Sequence, residues 1–161
     1  MKRKNEINLY NREKKLIIKV IWWVYILLLF GIVIIKFRGS VSELYIRMAA
    51  TPFGTNYNLI PFKTIGEQLK NISEGWVRYN LLGNIIPFAP FGFLLPMSFE
   101  KVNSSVRVLF VGFTFILFAE IFQFFTRLGS FDADDIILNM IGIMGRYFLL
   151  LLRVVKRKGK L

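Results

Sequence analysis

The sequence predicts an all-α membrane protein: a bundle of four transmembrane helices with both termini cytoplasmic and one larger outer segment, about 36–79. Three observations carry that expectation. The chain has 161 residues, enough for one domain, yet 55% of them are hydrophobic and seventeen are Phe. That is too apolar for an ordinary soluble domain of this size. Apolar runs of about twenty residues recur along it, and a helix of that length spans roughly 30 Å, the thickness of a bilayer's hydrocarbon core. Finally, Lys and Arg gather at the two ends of the chain, outside the apolar runs.

Taken in order, residues 1–15 read as a basic cytoplasmic tail with Lys2, Arg3, Lys4, Arg12, Lys14 and Lys15. The first span, 16–35, is LIIKVIWWVYILLLFGIVII, with Lys19 its one charge. The run exceeds a signal-peptide core, and the following KFRGS has no small-x-small cleavage pattern, so a retained helix is expected. Within the outer segment, SELYIRMAA and FKTIGEQLKN read as short interfacial helices. Between them Pro61 disfavours helix at Ile60, so NLIPF, Asn58 to Phe62, reads as a turn.

The remaining spans are expected at 80–99, 106–125 and 133–152, within a membrane domain over 16–152, and 153–161 reads as a second basic tail. The connections EKVNSS and TRLGSFD are so short that consecutive spans must be antiparallel neighbours. Four spans put both basic ends on one side, which the positive-inside rule makes cytoplasmic. Lys101 and Arg107 fit that side, whereas Lys36 and Arg38 do not.

This topology brings polar stripes to one depth. Glu120, Gln123 and Arg127 follow i, i+3, i+7 at the outer end of the third span. Asp132, Asp135 and Asn139 repeat that spacing at the outer start of the fourth, and Gly142 and Arg146 continue the stripe. Asp134 falls on another face. Asn80 and Asn84 sit at the outer start of the second. Each alone is an ordinary cap or interhelical hydrogen-bonding group. Together these eight polar residues, 80, 84, 120, 123, 127, 132, 135 and 139, read as an outer-leaflet pocket, since ionisable groups inside a membrane need partners or water.

Pro87, Pro90 and Pro96, with Gly83 and Gly92, bend or break the second span, which a bilayer tolerates only where protein or water meets the freed carbonyls. Gly142 and Gly145 are expected to permit close helix packing.

Cys and His are both absent, which excludes disulfides, thiol nucleophiles, Ser-His triads and Cys/His zinc sites. No metal site is assigned. A divalent cation on the carboxylates is chemically possible and not expected. The net charge of +12 lies largely in the tails, which favours membrane lipids over nucleic acid as partner.

Four elements in order resemble the VanZ-like family of bacterial membrane proteins: Asn58-Leu59-Ile60-Pro61-Phe62; Asn84 with Pro87 to Gly92, including Pro90; Glu120 and Gln123; and Asp132, Asp135, Asn139 and Gly142. The resemblance covers about 58–146. One departure stands: many members carry an Arg near the first Asp of the last motif, where this chain has Gly129-Ser130-Phe131. The resemblance implies a multi-pass protein of the bacterial cell membrane. The founding member is linked to low-level resistance to teicoplanin-type antibiotics. Binding or modifying an amphiphilic envelope component, a lipid-linked cell-wall precursor or a lipoglycopeptide, is the leading expectation. A carboxylate- or metal-dependent intramembrane enzyme and a small transporter or accessory subunit are the alternatives. Neither catalytic residues nor oligomeric state are legible.

Overall fold

The computed structural model describes residues 2–34, 41–50, 52 and 54–158. It is mostly helical. The order is α1 (Lys2–Ile34), α2 (Val41–Ala50), β1 (Tyr57–Asn58), α3 (Lys63–Lys70), α4 (Gly75–Ile85), a 3-10 turn (Ile86–Phe88), α5 (Ala89–Ser98), α6 (Ser105–Thr126), β2 (Phe131–Asp132) and α7 (Ala133–Lys158). Among the described residues, three stretches are long and apolar enough to cross a membrane: Arg12–Val33, Gly75–Ser98 and Ser105–Thr126. The expected cationic residues Lys36 and Arg38 lie outside the described residues.

Several boundaries differ from the sequence expectation. The expected basic tail is helical from Lys2 and continuous with the apolar run in α1. Its Lys, Arg and Glu residues are good helix formers, so the helix propagates back from the apolar run. The second span begins at Gly75 rather than residue 80 and continues to Ser98 through the 3-10 turn. The two-residue strands were not expected at all. Both expected short helices form, as α2 and α3, and Pro61 lies in the turn between β1 and α3.

Side-chain contacts give the helix directions. Tyr25 OH donates to the Pro87 carbonyl at 2.7 Å and Ser98 Oγ to that of Ile18 at 3.5 Å, so α1 runs antiparallel to α4–α5. Phe30 packs on Phe122 and Gln123 bonds to Val33, so α1 and α6 run parallel. Asn84 meets Asp135 while Gly92 meets Ile143 and Arg146, so α4–α5 and α7 also run parallel. Up-down alternation follows. One end of the bundle holds Val33, Asn84, Gln123 and Asp135, and the other holds Lys15 and Ser98.

The core is aromatic. Trp22 stacks edge-on against Phe91 and Phe99, and Phe115 packs on Phe88 and Phe91. Such pairs add about 0.5–1.5 kcal/mol each beyond their buried area. Outward positions are equally apolar: Leu27, Leu28, Phe110, Phe118 and Phe125 are exposed. A helix apolar all round belongs in a bilayer or a large core, and this chain is too small for the second.

Gly142 and Gly92 let the helices touch. A Cβ on Gly142 would lie 2.3 Å from the Ile85 carbonyl oxygen, and one on Gly92 the same distance from that of Ile143. Gly145, expected to serve the same purpose, has nothing within 4 Å and does not. Pro96 has no N–H for the Gly92 carbonyl one turn earlier, and Arg146 Nη1 donates to that oxygen at 3.0 Å.

At the far end Lys15 and Glu100 form an exposed ion pair at 2.7 Å. The hydrogen bond from Lys15, with its charge, holds the Glu100 carboxyl below its usual range. A depressed carboxyl contributes stability at neutral pH that is lost as pH falls through its folded value. Lys15→Ala is expected to raise the Glu100 titration midpoint in side-chain NMR while moving the melting temperature little, because exposed pairs are weak. A midpoint unchanged by the substitution would contradict the pairing.

Candidate functional site

The opposite end of the bundle carries the polar residues. Arg127 ends α6 in the left-handed conformation, with φ at 58°, and turns the chain toward β2. There Phe131 and Asp132 pair in parallel with Tyr57 and Asn58. Asn56 anchors the pair: its Nδ2 donates to the Gly129 carbonyl at 2.6 Å, and its own carbonyl accepts from Phe131 N–H at 3.0 Å. Two residues of strand cannot hold themselves, so side chains must. Asp132 Oδ1 accepts from Asn58 Nδ2 at 3.2 Å and caps α7 by accepting from Asp134 N–H at 2.9 Å. Its Oδ2 accepts from Thr64 Oγ1 at 2.8 Å. Glu120, fully buried, accepts from Asp132 N–H at 3.1 Å.

Asp134 is also fully buried. Its Oδ1 accepts from Phe62 N–H at 2.5 Å and its Oδ2 from Ile65 N–H at 2.9 Å. Phe62 precedes α3, where a capping side chain belongs, but it has no acceptor and its φ is 64°. Asp134 caps α3 from across the fold. A carboxylate at that helix start also suits the helix dipole. Asn58 Oδ1 accepts from Ile60 N–H at 3.2 Å, which shapes the turn that presents these amides.

A second polar group lies where α4 crosses α7. Asn84 Nδ2 donates to Asp135 Oδ1 at 2.5 Å, and Asn139 is buried one turn further along α7. Three other expected pocket residues have contacts of their own. Gln123 donates to the Val33 carbonyl at 2.5 Å, tying α6 to α1. Arg127 donates to the Met48 carbonyl at 3.2 Å. Asn80 lines a groove between α1 and α4. Of the eight side chains expected in one pocket, Glu120 bonds to the Asp132 amide and Asn84 to the Asp135 carboxylate.

The groove has a volume of about 1150 Å³ and is open along one side. Leu27, Leu28 and Gly31 of α1 face Trp76, Asn80 and Gly83 of α4 across it. Gly31 and Gly83 have open space where a Cβ would stand. Pro87 of the 3-10 turn also lines it. Trp76 and Asn80 lie toward the end of the bundle that carries the polar residues.

Residues 22–154 match the family model described as VanZ/LLP1. This chain belongs to the VanZ/LLP1 family. It is also 34% identical over 85 residues to "Protein VanZ" of Enterococcus faecium, a match covering 53% of this chain and 46% of that relative. The chain thus spans less than half the length of the curated relative it matches. No solved structure matches.

Within this VanZ/LLP1 chain, the motif residues Asn58 and Phe62 bond directly to Asp132 and Asp134. Sequence reasoning missed Asp134, Thr64 and Asn56. Asp134 lies off the helical stripe because it serves the segment above the helix end. The i, i+2 pair Asp132–Asp134, beside a turn with exposed amides, is the signal that points to it. Thr64 and Asn56 carry no local signal, since their partners lie 68 and 73 residues away.

Proposed function

We propose that this chain is a four-span protein of the bacterial cell membrane, with both basic ends cytoplasmic, that binds an amphiphilic envelope component. The observation that carries the reading is the groove between α1 and α4. Its walls are apolar, it opens sideways from two helices of span length, and Asn80 and Trp76 stand at one end. Hydrocarbon fits such walls, and amphipathic aromatic side chains favour the level of lipid headgroups. A tail in the groove places its head group at the polar end of the bundle. There Glu120, Asp132 and Asp134 hold segment 58–65 in place, and Asn84 bonds to Asp135 between α4 and α7. By family, the component is a lipid-linked cell-wall precursor or a lipoglycopeptide tail, and teicoplanin resistance is the phenotype to measure.

Gly83→Trp fills the groove where open space exists, so the fold should tolerate it. Protein in lipid nanodiscs is labelled with a lipid carrying a photoreactive group in its tail. Wild type should be labelled on α1 and α4, and Gly83→Trp several-fold less. Cells making the variant should lose any rise in teicoplanin tolerance that wild type confers. Equal labelling of α1 and α4 in both proteins would rule out the groove.

A further inference from the structure

The turn between β1 and α3 exposes a row of apolar residues. Leu59 and Ile60 are each 61% exposed and Phe62 65%, with Pro61 exposed between them. Such a run on a folded surface marks a place of interaction. The turn is no loose end. Asp134 holds the Phe62 and Ile65 amides, and Asn58 Oδ1 holds that of Ile60 at 3.2 Å. These bonds fix the backbone and leave the side chains outside the core. Phe62 even keeps a left-handed φ of 64° with its ring exposed.

The level of the turn follows from its contacts. The 22 residues of α6 make about 33 Å of helix, close to the roughly 30 Å of a bilayer's hydrocarbon core. Tyr57 of β1 packs its ring on Phe124, in the last turn of α6, at 6.5 Å between centroids. Asp134, which holds Phe62, lies in the first turn of α7. The turn therefore stands level with these helix ends, where hydrocarbon gives way to head groups. Trp76 and Tyr79, exposed near the start of α4, are of the kind that marks this level. The adjoining α3 is divided to match. Ile65 and Leu69 share one face, and Lys63, Glu67 and Lys70 share another. That division suits a helix lying in the interface.

We propose that the Leu59–Phe62 turn is a membrane anchor, inserted into the bilayer leaflet at the polar end of the bundle with its side chains among the upper acyl chains. Lys63 follows at once and is exposed, so its ammonium can rise to the lipid phosphates while the apolar tip stays below them. The anchor joins the lipid-facing surface of the spans, since Phe125 is exposed on α6 beside Phe124, the ring that Tyr57 meets. The inference shares with the preceding reading only the premise that the helices cross a membrane, and it does not need the groove.

The chain has no Cys, so a single introduced Cys carries a single nitroxide label. Leu59→Cys, Ile60→Cys, Glu67→Cys and Phe118→Cys all alter exposed side chains, and each full-length variant is reconstituted in vesicles of phosphatidylcholine and phosphatidylglycerol. Spin-label saturation then compares collisions with oxygen, which concentrates in hydrocarbon, and with a nickel chelate, which stays in water. Phe118, near the middle of α6, is the hydrocarbon reference, and Glu67 on the charged face of α3 is the aqueous one. Labels at 59 and 60 should show an oxygen-to-nickel collision ratio several-fold above that at 67, approaching the ratio at 118. A nickel-dominated signal at 59 and 60, with 118 in hydrocarbon, would overturn the anchor and leave amphiphile binding in the groove untouched. Nickel access at 118 would overturn the spans on which both readings rest. Low collision with both reagents at 59 and 60 would mean that a second copy covers the turn, and would overturn the bilayer as its occupant.

Discussion

Gly142→Ala is expected to destabilise the bundle by about 1–3 kcal/mol or more. The added methyl would stand 2.3 Å from the Ile85 carbonyl oxygen and 3.0 Å from Phe88 Cβ. Both obstacles belong to a helix held on its other side by α1, through the bond from Tyr25 to the Pro87 carbonyl. Neither can rotate away, so α4 and α7 must separate. Two controls isolate the cause. Gly145→Ala, three residues on, meets nothing within 4 Å, and better helix propensity should leave stability equal or slightly higher. Gly112→Ala meets the Ile143 Cδ1 atom at 2.4 Å, a side-chain end that can shift, so its effect should fall between. Thermal aggregation in detergent, compared across the three, checks the order. Equal melting of Gly142→Ala and Gly145→Ala would mean that the helices are not in contact there.

Asp134→Ala should release the segment around residues 58–65 from the bundle. The change leaves the amides of Phe62 and Ile65 without their acceptor, a loss on the order of 2–5 kcal/mol. Phe62 holds a left-handed φ of 64°, unfavourable for a bulky side chain, and persists there because its surroundings demand it. Without Asp134 that demand disappears. Hydrogen exchange at residues 62 and 65 should accelerate at least tenfold, while exchange in the middle of α6 stays slow. Asp134→Asn keeps one acceptor oxygen and should give an intermediate result. Unchanged protection at those amides in Asp134→Ala would show that the carboxylate does not hold the segment.

Much of the helical architecture was readable from the sequence because span-length apolar runs report it directly. The helix Ser105–Thr126 covers the apolar run 106–125, with Ser104 capping its start and Arg127 turning the chain at its end. The boundary at Gly75 was less visible. Gly75, Val77 and Tyr79 look like an outer segment until the helix is seen to enter the groove. Stripe spacing identified Glu120, Asp132 and Asp135 as side chains that face protein, but spacing along a helix cannot say which neighbour each meets. Gln123 shares the stripe of Glu120, yet its amide donates to the Val33 carbonyl of α1. Asp134 shows the converse. Its importance comes from amides 72 and 69 residues earlier, and no local pattern encodes them.

The clasp on Phe62 also has a consequence for biogenesis. During synthesis, the turn at residues 58–62 leaves the ribosome well before Asp134 exists, because 72 residues separate the partners. At translation speeds of about 5–20 residues per second, that interval is roughly 4–14 s. Within that time α4, α5 and α6 are made before the contact that seats the segment exists. Chain order makes the arrival of the last helix the event that locks this segment, so a ribosome stalled before residue 134 leaves it unlatched.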